Sequence, residues 1–422
     1  MFLHIDIDCF FASAHRAKDK SLKGIPIAVG SRSNLEIFNP KRLNTKLINN
    51  NSGAFVAPVF HSDSKKDFQS CFVDDIDGSK KIRGIITTAS YEARAYGVKT
   101  AMSISQALSL CPNLLVLPSN YPLYHQLSFE IHRFIASKIP KVEQFSIDEF
   151  FGDCSGWVDE ADMYSFAKDL QDSIKDEFDI PVSIGISKAK WIAKLATEYA
   201  KPYGIYEVKD IDGFIEDIPI SKFPGIGKGF AQKLNKYYIK TLGEIKQNKK
   251  LLYSWKKPGR VLYDRVTGNC GEGIESKNER KSVGISRTFD AIYDSVEIKR
   301  RVMILARHIA YIVSTLSVHP SSIYLKIKYE HKQRAKATRT INRIFSESVL
   351  KEELGLMYDE IALVNMGAIK LSVSVSNFIE YHHKTLSLLD IHNDKTNQKI
   401  DKSLCELRKK FGLDIIKTAN EL

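Results

Sequence analysis

Four carboxylates set in apolar, strand-like sequence constrain this chain more than any other feature. Residues 2–7 (FLHIDI) read as a buried strand, and Asp6 and Asp8 fall at its end, two apart and so on one face. Asp148 and Glu149 sit at a tight turn between the apolar runs of VEQFSIDEFFGD (142–153). Carboxylates are poor strand formers, so keeping them beside apolar runs costs stability. One such site means little, because strand ends are often solvated and acidic. Two of them in a chain of formal net charge +12 need a reason. A cationic surplus of that size suits a polyanionic partner, most often nucleic acid. An acidic cluster repels phosphate unless cations bridge the two, and magnesium does so through carboxylate oxygens and retained water. Asp6, Asp148 and Glu149, with the backbone carbonyl of Ile7, form a natural set for two Mg2+ ions about 4 Å apart. Such a pair can activate a 3′-hydroxyl and stabilise a leaving pyrophosphate. Asp8 is expected to orient rather than ligate. The same geometry would serve a nuclease equally well.

The 422 residues are 43% hydrophobic, enough for two to four domains. Six cysteines are scattered with no C-x-x-C pair, which argues against zinc and for reduced thiols in a cytoplasmic protein. The N-terminus lacks the pattern of a signal peptide, and no apolar run reaches the roughly 20 residues that span a bilayer, so no membrane association is expected. Residues 31–83 are rich in Asn, Ser, Lys and Asp and read as a long insertion, partly loop. Residues 212–275 look all-helical. From 283 to 379 the pattern is strand, long helix, two alternating strands, helix, strand: a split βαβ domain. The tail from 381 is polar, with one helix expected at 398–411.

Tyr91 and Arg94 lie three apart in SYEAR, on one face if helical, and Lys201 ends a helix before Pro202. Together they could bind the β- and γ-phosphates of a nucleotide.

Five blocks occur in order: HIDIDCFFA (4–12), TASYEARAYGVKTAMS (88–103), FSIDEFF (145–151), GISKAKWIAKLATEYAKPYG (185–204) and FPGIGKG (223–229). They resemble the signature blocks of Y-family translesion DNA polymerases, nearest the bacterial polymerase IV branch. KSVGISRTF (281–289) is similar to the start of that family's little finger. The resemblance spans the chain except 31–83. It implies an α+β multidomain right hand: palm (1–10 and 118–207), fingers (11–117, with the insertion), helix-hairpin-helix thumb (208–275), split βαβ little finger (276–380) and a tail (381–422). It carries Asp6, Asp148 and Glu149 over as the catalytic triad, with Ile7 completing the metal set. Tyr91, Arg94 and Lys201 become triphosphate contacts. Phe10 and Phe11 join the nucleotide site, Phe11 as the aromatic wall that leaves no room for a 2′-hydroxyl.

The turn at Gly225–Gly227, followed by Lys228, is expected to offer backbone N–H groups to a DNA phosphate. Lys326, Lys328, Lys336, Arg339 and Arg343 are expected to track duplex backbone from the little-finger strands. HKTLSLLDI (383–391) resembles the family's sliding-clamp peptide, with Leu386, Leu388 and Leu389 as anchors, although the usual leading glutamine is missing. Two other departures stand out. About 40 extra residues separate the Gly30 strand from the YEAR helix, expected to be tolerated surface in the fingers. His15 stands where the branch commonly has an acid.

The expected reaction is in-line addition of a deoxynucleotide from its triphosphate to a primer 3′ end. It would be templated, of low fidelity, suited to damage bypass and DNA repair, and catalysed by a monomer. Two rivals stay open from the residues alone: a structure-selective two-metal nuclease, and a non-catalytic DNA-binding accessory protein.

Overall fold

The computed structural model describes residues 1–39, 45–48, 58–61, 67–76, 79–269, 271–275, 280–378 and 389–422. The chain divides into two compact units. One comprises Met1–Gly30 and Ile85–Asn278, the other Ser31–Gly84 and Glu279–Leu422.

The first unit is built on a five-stranded sheet in the order Ile205–Val208, Val182–Ser187, Phe2–Ile7, Glu149–Asp153, Lys141–Gln144. Phe2–Ile7 lies in the middle, antiparallel to both neighbours. Its alternation sorts its side chains. Leu3, Ile5 and Ile7 pack with Tyr124, Ile131, Ile135, Leu170 and Ile174 of the helices Tyr121–Lys138 and Met163–Phe178. His4, on the other face, meets Thr197 of the helix Lys190–Ala200. Gly185 lets that helix come close: a Cβ there would stand 2.0 Å from the Ala193 carbonyl oxygen and 2.6 Å from the Thr197 nitrogen. A three-stranded sheet, Ile85–Ala89, Ile27–Ser31 and Leu115–Pro118, stands beside the helices Phe10–Lys18, Tyr91–Ala95 and Ile104–Leu110. Residues 211–266 form short helices around Leu234, Leu242, Ile245, Leu252 and Val266, the all-helical segment expected.

The second unit contains the expected β-α-β-β-α-β run. Its antiparallel sheet has the order Ser282–Ile292, Ala368–Phe378, Pro320–Tyr329, Arg334–Thr340. The core lies on one face, where Ile323, Leu325, Ile327, Val373 and Val375 pack with side chains of the helices Ser295–Leu316 and Glu347–Ile361.

The described part of the insertion is not loose surface. Ile37 and Phe38 belong to this second core, and Leu35, Leu47 and Phe60 pack against it. Arg301 lies over both the Phe38 and Phe289 rings, at 4.6 and 4.8 Å. The tail helix is longer than expected, Ile391–Phe411, and docks on the same unit. Cys405 and Leu413 cluster with Tyr311, Leu47 and Phe60. Thr45 donates to Asp414 at 3.0 Å. Arg307, 1% exposed, pairs with Asp414 at 2.9 Å and Glu421 at 2.5 Å. Lys351 joins Glu421 to Glu347, each at 2.6 Å, and Arg408 closes on Glu347 at 2.5 Å. Insertion and tail thus complete the unit that holds the C-terminal sheet, rather than decorating the fingers.

Candidate active site

Strand pairing brings the two acidic sites together. Asp6 stands directly opposite Glu149, and the Ile7 N–H donates to the Asp148 carbonyl at 2.9 Å. Burial pushes the Asp6 carboxyl up to about 8; Lys201 opposes the shift, while Asp148 and Glu149 add to it by repulsion. Burial likewise raises Asp148, against the hydrogen bond it accepts from the Ser146 hydroxyl and with added repulsion from Glu149. These carboxylates cannot all ionise comfortably without positive charge beside them.

Lysines supply part of it. Lys201 reaches Asp6 at 3.0 Å and Glu198 at 2.8 Å. Burial works against the Lys201 charge, but Asp6 and Glu198 outweigh it and the pKa rises. Lys194 donates to Glu149 and stands 3.4 Å from His4. His4, fully buried, is bonded to Thr197 at 2.9 Å, and burial first, then Lys194 and Lys201, holds its pKa well below the usual value. Sequence reasoning missed Lys194, His4 and Thr197. The signal was available in the spacing of KWIAKLATEYAK, which sets Lys190, Lys194, Thr197 and Lys201 on one helical face.

Among the described residues, no three His, Cys, Asp or Glu close into a ready metal-ligand set. The donor set nonetheless fits a hard divalent cation. It consists of carboxylate oxygens, and burial and repulsion hold up the protons of Asp6 and Asp148, which a cation would relieve.

Asp8, expected to orient rather than ligate, sits at the centre of a hydrogen-bond cluster. It is buried and accepts from Tyr91 at 3.0 Å, from the Ser183 hydroxyl at 3.0 Å and from the Tyr203 N–H at 2.7 Å. It thereby fixes Tyr91 and the chain beyond Lys201. Arg94 lies over the Tyr91 ring, 5.0 Å from its centroid, and donates to the Ala89 carbonyl at 3.0 Å. Tyr91 and Lys201, far apart in sequence, are joined through Asp8 and its neighbours. Phe11 is half-buried and lies flat on Tyr124. Phe10, placed by sequence in the nucleotide site, has its side chain 2% exposed and packed in the core.

Gly225 takes φ +97°, and Gly227 precedes the helix Lys228–Asn235 with no side chain capping it. A Cβ at either glycine would meet nothing within 4 Å, so the backbone there is open to approach.

The pleat divides the expected little-finger cations. Lys326 pairs across strands with Lys336, and Lys328 with both Arg334 and Lys370, all on the sheet face opposite the core. Like charges set directly opposite one another cost stability. Arg339 pairs instead with Ile323, on the core side, and binds Glu353 and Glu360, each at 3.0 Å. Arg343 is held by Glu352 and Asp394. The assignment of Arg339 and Arg343 to that cationic face is therefore corrected: they anchor helices. Leu386 and Leu388 lie outside the described residues; Leu389 is 93% exposed. Among the described residues, no helix is long and apolar enough to cross a membrane.

Comparison with known proteins follows the same lines. The family model described as impB/mucB/samB family matches residues 5–198, and that of its C-terminal domain matches 280–388. DNA polymerase IV of Serratia proteamaculans (strain 568) is 31% identical over 330 residues, covering 73% of this chain and 80% of its own. DNA polymerase IV of Yersinia pseudotuberculosis serotype O:1b is 33% identical over 298 residues, covering 69% and 71%. Among solved structures, a Y-family DNA polymerase chimera of Dbh and Dpo4 segments has a TM-score of 0.67 at 22% identity, over 90% of this chain and 99% of that one. An insertion ternary complex of Dbh DNA polymerase has a TM-score of 0.56 at 20% identity. The fold is that of the right-handed polymerases with palm, fingers, thumb and little finger. The chain belongs to the impB/mucB/samB family, the Y-family DNA polymerases, on its DNA polymerase IV branch. It is a DNA-directed DNA polymerase of the translesion class, and neither the nuclease nor the accessory-protein reading finds support.

Proposed function

We propose that Asp6, Asp148 and Glu149 are the catalytic carboxylates of templated nucleotide addition to a primer 3′ end. The observation that carries this reading is the register of Asp6 opposite Glu149, beside Asp148, within reach of Lys201. Members of this family depend on divalent metal. The three carboxylates, with the Ile7 carbonyl, would hold two magnesium ions, which when bound favour the 3′-oxyanion and the departing pyrophosphate.

The chain's own residues bind and orient. Lys201, now on Asp6, is the cation that incoming phosphates would draw away, and Arg94 and Tyr91 complete the cradle for the β- and γ-phosphates. Asp8 keeps Tyr91 aimed. Phe11 stands under the sugar and excludes ribonucleotides. An open site of this kind checks base-pair shape poorly, and low fidelity follows. Primer extension on intact and abasic templates tests the reading. Growth of the strand past the abasic site is the expected result; strand shortening would sink it.

We further assign residues 1–10 and 118–207 to the palm, 11–117 without the insertion to the fingers, 208–275 to the thumb and 280–378 to the little finger. Primer–template DNA would be held by the Gly225–Gly227 turn with Lys228 and by the open sheet face. Replacing Lys326, Lys328 and Lys336 together with serine should weaken DNA binding and reduce the slope of log affinity against log salt by about 2–3. The same variant should not melt earlier, since it loses like-charge repulsion. Arg339→Ala should do the reverse, with an unchanged slope and a lower melting temperature. Leu386, Leu388 and Leu389 remain the proposed anchors for a sliding clamp. The enzyme would act as a monomer in the bacterial cytoplasm, where its DNA lies.

A further inference from the structure

Behind the sugar gate lies a support that no sequence motif marks. Phe11 occupies the first turn of the helix Phe10–Lys18. Its ring is stacked on Tyr124, centroids 4.2 Å apart and planes 13° from parallel. Tyr121 closes on both rings edge-on, at 6.1 Å from Phe11 and 5.8 Å from Tyr124. Tyr124 is itself fully buried. Its hydroxyl meets the His15 Nε2 at 2.8 Å. His15 is four residues beyond Phe11, so both project from one face of the same helix. That helix therefore grips Tyr124 at two points, a ring stack at one end and a hydrogen bond at the other.

We propose that Tyr124, fixed by His15, is a positioning residue that sets the discrimination of this polymerase against ribonucleotides; the inference rests on Phe11 being the gate. A hydroxyl is small. An apolar pocket that can give slightly rejects an added hydroxyl only weakly, by about a hundredfold in favourable cases. A gate is therefore as selective as the surface behind it is stiff. A parallel ring at van der Waals distance blocks retreat of Phe11 away from the sugar. A buried tyrosine hydroxyl without a partner would carry a desolvation penalty and favour other rotamers, so His15 fixes the depth of the stack as well as satisfying the hydroxyl. Burial lowers the His15 pKa, which suits an uncharged ring in this role. The histidine that departs from the branch's usual acid thus gains a physical account.

The test is single-nucleotide insertion with matched deoxy- and ribonucleoside triphosphates, read as the ratio of their kcat/KM values. Phe11→Ala should lower the discrimination ratio by about a hundredfold or more, Tyr124→Leu by about tenfold, and Tyr124→Phe and His15→Ala each by a few-fold in the same direction. Added to Phe11→Ala, Tyr124→Leu should lower the ratio no further, because its effect runs through the gate. If Phe11→Ala still excludes ribonucleotides, the gate assignment falls and this inference with it. If Phe11→Ala admits them while Tyr124→Leu and Tyr124→Phe keep the parental ratio, the gate stands and the inference is overturned. Should Tyr124→Leu fail to fold, Tyr124→Phe, which retains the ring, decides alone: an unchanged ratio refutes the role.

Discussion

Asp6→Asn should bring primer extension down by at least about a thousandfold, since charge stabilisation at such a site is worth several kcal/mol and each 1.4 kcal/mol is a factor of ten. Asparagine keeps the shape and removes the charge, so the loss isolates the carboxylate. Binding of primer–template DNA should persist, because removing an acid facing phosphate removes repulsion. A variant that still extends primers would displace Asp6 from the centre of the reaction. The same substitution has a signature in stability. The Asp6 carboxyl is raised from 3.8 to about 8, chiefly by burial. The folded state then holds this proton more tightly than the unfolded chain. Its contribution to stability is present at low pH and is lost as pH rises between about 4 and 8. Asp148 pulls the same way. With divalent ions chelated, the parent should therefore melt progressively earlier across that window. Asp6→Asn should show a flatter profile and be the more stable protein at pH 8. Added magnesium should raise the parent's melting temperature at pH 8 more than that of the variant. Thermal melts at pH 5, 6.5 and 8, with and without chelator, read all three effects.

Arg307→Ala should destabilise the second unit by about 3–5 kcal/mol, the usual result of removing one partner from a buried ion pair. The guanidinium is 1% exposed and answers two carboxylates, Asp414 and Glu421. Its loss leaves Asp414 with the Thr45 hydroxyl, and leaves Glu421 with Lys351 and Thr418. Arg307→Met with Asp414→Leu, which replaces charge by apolar volume, should recover part of the loss. Denaturant unfolding followed by a probe in this unit provides the measurement. A change below about 1 kcal/mol would mean that the Arg307 ion pairs are dispensable for holding the tail.

The sequence made the chemistry of the site more legible than its supports. Alternation in FLHIDI placed Asp6, and the acidic turn placed Asp148 and Glu149, because a period of two survives without knowledge of partners. The βαββαβ run of the C-terminal sheet was legible for the same reason. Register was not. Whether Arg339 faces DNA or a helix depends on which residue of the neighbouring strand it meets, and Ile323 settles that only in the folded protein. Tyr124 carried no signal, since NYPLYHQL reads as any amphipathic helix start. Ile37 and Phe38 were visible as apolar residues in a polar stretch. Burial of apolar surface has no direction, however, and the partners of that segment lie more than 250 residues away: the carbonyl of Phe38 accepts from Arg300, 262 positions on.

The bond from Thr45 to Asp414 spans 369 residues. On a ribosome adding roughly 5–20 residues per second, Thr45 is made on the order of 20–70 seconds before its partner exists. Until the strands and helices between Val283 and Val375 have been made, Ile37, Phe38 and Phe60 have no core to enter, and the nascent protein must carry them exposed or chaperoned. Joining two segments so far apart closes a long loop, which is costly in entropy and slow.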